Sequence, residues 1–282
     1  MNQEKSAAYK KLVKDMWKIY PKYGKDPAQS DKVKLWAPYI DGENICQEIN
    51  LYTYWQGLGY AEKTPRIKYL LVAQDFGNIF VKDSQKKISK QQIINGAEEG
   101  VEKFKKMDAD KTILSCDSNN PPAAITDKNL IELFKILGYD ILNNRYSDLF
   151  FTNFCLGYIT YGKISYDYYW LEKDSLMFKR LCDILEPENI LCLGKLTSEC
   201  AYEALSGKDT WKKIYGGFTS YNDFIENHVE LTVNCGKSTA RFFPLAHCGG
   251  MGTANRNRNL PKQNNLLYYQ KQDWAKIYEV NK

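Results

Sequence analysis

Four short apolar runs constrain this chain more than anything else in it: IKYLLVA (67–73), DLFFTNF (148–154), NILCLG (189–194) and ARFFPLAH (240–247). None alternates polar with apolar residues, as a strand wetted on one face does, so each reads as a strand buried on both faces of a parallel sheet. Helical patterns separate them: AEEGVEKFKK and DKNLIELFKILG before the second, SLMFKRLCDIL before the third and KLTSECAYEAL after it. The alternation predicts an α/β fold. VELTVNCGKSTARFFPLA reads as a hairpin that feeds the last core strand, and residues 262–278 as a closing helix with Asn259 and Pro261 near its start. Helical spacing from Ser6 to Tyr20 and from Asn44 to Trp55 predicts an N-terminal helical extension over residues 1–60. Residues 107–126, rich in Asp, Asn, Ser and Pro, predict a long loop, and loops of that length in a compact domain tend to be functional. With 282 residues, 44% of them hydrophobic, we expect one domain over 1–282.

Composition narrows the function classes. The first residues, MNQEKSAAYKK, lack the apolar stretch of a signal peptide, and no stretch approaches the ~20 apolar residues that span a bilayer. We therefore expect a soluble, cytoplasmic protein with no membrane partner. The eight cysteines (Cys46, Cys116, Cys155, Cys182, Cys192, Cys200, Cys235, Cys248) form no CxxC pair and several lie in apolar runs, which favours reduced packing cysteines over a metal or cluster site. The net charge of +5 is mild, but from Arg241 onward seven basic residues face two acidic ones. A basic surface beside one loop suits phosphate binding.

In an open α/β sheet, ligands gather at the carboxyl ends of the strands. The residues there are Gln74-Asp75-Phe76-Gly77, Asn153-Phe154-Cys155, Gly194-Lys195 and His247-Cys248-Gly249-Gly250-Met251-Gly252. Four segments in this order resemble the uracil-DNA glycosylase superfamily. VAQDFG is similar to its first motif, a strand running into Gln-Asp-Pro-Tyr or Glu-Ala-Pro-Gly, and TNFC to the segment carrying the base-reading asparagine. EPENILCLGKLTSECA resembles its strand, Leu-Gly turn and helix, and HCGGMGTANRNR its second motif, HPSPLS or HPSPRNPQANK. The resemblance spans residues 67–258.

What the resemblance implies is a three-layer α/β/α sandwich around a central, mostly parallel four-stranded sheet, and a monofunctional DNA glycosylase working without cofactor, as a monomer on DNA. Asp75 would position water and stabilise positive charge on the deoxyribose; His247 would hydrogen-bond the departing base. Asn153 would read a flipped pyrimidine with its amide, with Gln74, Phe76 and Gly77 around the base. Met251 would wedge into the gap left by the flipped nucleotide, while Gly249, Gly250, Arg256, Arg258 and Lys262 would contact DNA.

The sequence also departs from the family pattern. Gly77 stands where the strictest uracil enzymes carry a tyrosine, no aromatic precedes Phe134 in the segment expected to stack on the base, and the second motif lacks both prolines and its serine. Phe76 or Phe80 would then supply the stacking ring. A roomier pocket suits uracil or a larger 5-substituted pyrimidine, in repair or in defence against modified foreign DNA. The aromatic run YITYGKISYDYYW (158–170) either lines that pocket or packs beneath a loop. Two other readings stay open: a catalytically silent DNA-binding protein, and an N-glycosidase of free nucleosides or nucleotides.

Overall fold

The computed structural model describes residues 4, 5, 7–9, 11, 12, 15, 35, 36, 67–74, 119, 122, 124–144, 146–154, 158, 159 and 172–282. Its strands are β1 (Leu35–Trp36), β2 (Tyr69–Ala73), β3 (Leu149–Asn153), β4 (Tyr158–Ile159), β5 (Asn189–Leu193), β6 (Leu231–Cys235) and β7 (Ser238–Leu245). Its helices are α1 (Ile125–Ile136), α2 (Glu172–Leu185), α3 (Lys195–Ser206), α4 (Thr210–Tyr215), α5 (Tyr221–Asn227), α6 (Gly250–Asn257) and α7 (Tyr268–Glu279). The helices expected over 44–55 and 97–106 and most of the 107–126 loop lie outside the described residues. So do Asp75, Phe76, Gly77, Phe80 and, apart from the backbone of β4, the aromatic run.

All four apolar runs are strands of one sheet, ordered β3-β2-β5-β7-β6. The first four are mutually parallel, and every residue of β2, β3 and β5 is buried, as their unbroken apolar sequence requires. The sheet has five strands rather than the expected four, because β6, the first strand of the hairpin, joins its edge antiparallel to β7. Only one face of β6 is covered, so Leu231, Val233 and Cys235 are buried while Thr232 and Asn234 are exposed. Pro244 is tolerated in β7 because β6 pairs only as far as Phe242. At the hairpin tip Gly236 adopts φ +61°, and a Cβ there would fall 2.5 Å from the Asp183 carbonyl oxygen. Separately, β1 and β4 pair antiparallel.

Helices pack on both faces. Leu70, Val72 and Phe150 form one core with Met177, Leu181, Cys200 and Trp211 from α2, α3 and α4, where Tyr9 and Leu12 of the N-terminal helical segment join them. Tyr69, Leu71, Phe151 and Leu193 form the other with Leu130, Phe134, Trp274 and Ile277 from α1 and α7. The closing helix begins at Tyr268, six residues later than expected. Asn265 holds the preceding turn, its side chain accepting from the Leu267 N–H (2.9 Å) and its carbonyl from the Tyr268 N–H (3.0 Å). Among the described residues no helix is long and apolar enough to cross a membrane.

Candidate active site

Because β3, β2, β5 and β7 run parallel, their carboxyl ends share one edge of the sheet. The chain leaves β2 to one side, for β3, and returns to the other, for β5, so the crevice between β2 and β5 is where the order reverses and ligands bind in such sheets. Along this edge stand Gln74 after β2, Asn153 ending β3, Gly194 and Lys195 after β5, and His247 two residues beyond β7. The edge is knitted together: the Phe154 N–H donates to the Ala73 carbonyl (2.8 Å) and the Gly194 N–H to the Leu245 carbonyl (2.7 Å). Gly194 has φ +96°, and a Cβ on it would lie 3.8 Å from that of His247, so the ends of β5 and β7 meet at the imidazole.

His247 is half-buried, and the Gly249 N–H donates to its Nδ1 (2.9 Å). That bond makes Nδ1 the acceptor and puts the proton of the neutral ring on Nε2. Burial lowers the imidazole pKa below its usual 6.5. The ring is thus a neutral Nε2–H donor, for which no described residue is the acceptor.

The segment carrying it is held from several sides. Asn129 of α1 donates to the Cys248 carbonyl (2.6 Å), and Gln270 of α7 donates to the carbonyls of Ala246 (3.3 Å) and His247 (3.2 Å). Thr253 of α6 ties the two together, donating to Gln270 Oε1 (2.9 Å). Across the cleft the Tyr221 hydroxyl donates to Ser198 (2.8 Å) and lies 3.2 Å from the Leu245 carbonyl, while the Ser198 hydroxyl donates to the Gly194 carbonyl (2.9 Å). None of Asn129, Gln270, Ser198 and Tyr221 stood out in the sequence. The available signal was a polar residue amid apolar helix positions, as in NLIELF and YYQKQDW.

Asn153 is buried, and its Oδ1 finds no hydrogen-bond partner among the described residues. A buried carbonyl without a donor costs about 1–3 kcal/mol, which a ligand N–H can offset. Gln74, just past the end of β2, is half-buried; Asp75, Phe76 and Gly77 follow outside the described residues.

The glycine-rich stretch expected as a loop is instead the helix α6, with Gly249 as its N-cap. Gly252 is obligatory there: a Cβ would lie 2.1 Å from the His247 carbonyl oxygen. Gly249 is nearly as restricted, its absent Cβ falling 3.0 Å from His247 Nδ1 and 3.1 Å from Thr126 Oγ1. Both glycines therefore shape the imidazole's seat before any phosphate is considered. Met251 is 82% exposed, and Ile125, 53% exposed, lies beside Gly250.

Arg256, expected at a phosphate, is 2% exposed and already spent. Its Nε and Nη2 donate to the two Asp273 oxygens (2.8 and 2.9 Å) and its Nη1 to Glu226 (2.8 Å), so it clamps α6 to α7 and α5. Arg258 and Lys262 are exposed. Arg258 lines a cleft of about 570 Å³ with His247, Gly194, Tyr221 and Lys195, a cation the sequence reading did not select. α3 and α6 both begin beside His247 without a side-chain cap, leaving N–H groups available to an anion. Among the described residues no three His, Cys, Asp or Glu side chains cluster as a metal site requires.

No protein-family model matches the chain, and no curated protein matches it closely enough to count as a relative.

Proposed function

We propose that the protein is a DNA glycosylase of the uracil-DNA glycosylase type, hydrolysing the bond between a flipped-out pyrimidine and its deoxyribose to leave an abasic site. The observation that carries this reading is the state of His247: a neutral imidazole with Nδ1 occupied by a backbone N–H and Nε2–H offered at the carboxyl edge of a parallel sheet. A pre-oriented neutral donor stabilises an oxygen that gains negative charge as a base departs, an effect worth about 10²–10³ in rate for one such donor. The unpartnered amide oxygen of Asn153 on the same edge supports base reading. Asp75, one residue beyond Gln74, supplies the carboxylate for the sugar cation and the attacking water. Met251 is the wedge, and Lys195, Arg258 and Lys262 take the backbone phosphates. The protein works as a cofactor-free monomer, and four parallel strands with helices on both faces suit the family's architecture.

The test is to incubate the protein with duplexes and single strands carrying uracil, hypoxanthine or 5-substituted pyrimidines, then cleave abasic sites with alkali. Strand breaks are expected with the wild type and a loss of about 10² or more with Asp75→Asn or His247→Ala. DNA binding with no breaks anywhere in the panel overturns the enzymatic reading in favour of a silent binder; base release from free nucleosides as fast as from DNA overturns the polymer substrate.

A further inference from the structure

The first turn of α1 climbs along the segment that follows His247, one residue against the next. Asn129 donates to the Cys248 carbonyl (2.6 Å), Thr126 Oγ1 lies 3.1 Å from the point where Gly249 lacks a Cβ, and Ile125 Cγ2 lies 3.8 Å from the corresponding point on Gly250. Asn129 and Ile125 are four residues apart on one face of the helix, so these contacts lead from a buried amide out to the helix tip. At that tip stand two large apolar side chains left in water: Ile125, the first residue of α1, and Met251, which follows Gly250 at the start of α6. Neither serves the core, which α1 enters through Leu130, Ile131, Leu133 and Phe134. The tip adjoins the imidazole, since the Gly249 point that Thr126 approaches is also 3.0 Å from His247 Nδ1. Cations surround it. Lys128 is exposed on the same turn of α1, and Lys195 and Arg258 line the cleft that His247 also lines. An apolar tip among cations matches a DNA duplex opened at one step, with phosphates outside and bare base faces within.

We infer that Ile125 is the second half of the wedge that Met251 begins: the two side chains together fill the gap left when a nucleotide leaves the stack, which makes Ile125 a positioning residue and duplex DNA the occupant of this tip. The inference rests on the glycosylase reading for the flipped base and adds to it an apolar contact supplied by α1. An extruded nucleotide bares the faces of its neighbours, and apolar surface placed against them offsets the cost of unstacking. A single strand has no such gap to fill. The contribution of Ile125 therefore belongs to the duplex.

The test compares base release from a duplex and from the single strand of the same sequence carrying the same base. Ile125→Ala trims an exposed side chain at the first helical position and should keep its Tm. It is expected to lower the duplex-to-single-strand ratio of kcat/KM about tenfold, the order that losing a few buried methylene groups gives. Ile125→Leu should keep most of the wild-type ratio, and Met251→Ala should move it in the same direction as Ile125→Ala. 2-Aminopurine placed next to the target base reads the same step without chemistry: its fluorescence rises as the stack opens with the wild type and Ile125→Leu, and less with Ile125→Ala. A ratio that Ile125→Ala leaves unmoved overturns the inference, as does a fluorescence rise that is absent from the wild type or unchanged in Ile125→Ala. Failure of the glycosylase reading looks different: the wild type releases no base from any DNA, and the fluorescence alone then decides the wedge.

Discussion

Truncating Arg256 separates the two roles this residue can play. Its guanidinium is 2% exposed and bidentate to Asp273, which is itself 4% exposed; Glu226, the third partner, is 37% exposed. In Arg256→Ala the Asp273 carboxylate remains in a dry pocket without its counter-charge, and breaking a buried pair from one side costs about 3–5 kcal/mol. The Glu226 contact is half-wetted and adds no more than ~1 kcal/mol. For a chain of this size, ~2–4 °C is lost per kcal/mol, so Tm should fall by roughly 10 °C. Removing both charges together, as Arg256→Met with Asp273→Leu, should recover most of that loss, because apolar pairs of similar volume replace buried ion pairs at little cost.

Differential scanning calorimetry on the single and double variants reads the first effect, and DNA affinity across a salt series reads the second. If the clamp is structural, the double variant binds DNA with the wild-type salt slope. A lost phosphate contact would lower that slope by ~0.9. An Arg256→Ala protein that keeps its Tm while its salt slope drops would mean that the guanidinium is free to meet a phosphate and is no clamp.

Other perturbations test the remaining pieces. Gly252→Ala forces a Cβ into the His247 carbonyl at 2.1 Å, so we expect a loss of about 1–3 kcal/mol in stability and, because the imidazole must shift, about 10² in base release, measured by melting and single-turnover assay. Both histidines are half-buried with pKa values below 6.5, so in acid the unfolded chain takes up protons first. Stability is full above pH 6.5 and falls as pH drops below it, and His228→Gln should flatten part of that slope in melts from pH 7.5 to 5. Lys195→Ala and Arg258→Ala should each weaken binding to all sequences alike and reduce the salt slope by ~1; a sequence-dependent loss would mean base rather than backbone contact.

The strands were legible because a doubly covered strand leaves an unmistakable trace: NILCL has no polar residue after Asn189, and all five positions are buried. His247 was legible because only one other histidine competes for the role. The rest failed where tertiary contacts overrode local preference. Two glycines within GMGTANRN argue against a helix at ~1 kcal/mol each, yet α6 forms because Gly252 must abut a carbonyl and because Thr253 and Arg256 anchor it to α7. Arg256 looked like a phosphate ligand because a sequence displays charge but not partners, and its partners lie 17 residues ahead and 30 behind. The helix DKNLIELFKILG was legible from Asp127 on, and α1 begins only two residues earlier, at Ile125.

Polar groups at the carboxyl edge divide into two populations, and the division is itself an argument about function. Asn129, Thr253, Gln270, Ser198 and Tyr221 satisfy one another and the carbonyls of residues 194 and 245–248, which fixes the imidazole in place at both faces of the sheet. Asn153 Oδ1 is buried without such a partner among the described residues, and His247 Nε2–H meets no acceptor among them. At about 1–3 kcal/mol for one unpaired buried group, the Asn153 carbonyl alone takes a noticeable part of a net stability of ~5–15 kcal/mol. Leaving those two open is what a site does when the missing donor and acceptor arrive on a ligand, and the rigidity of the first population is what lets the second wait in the right place.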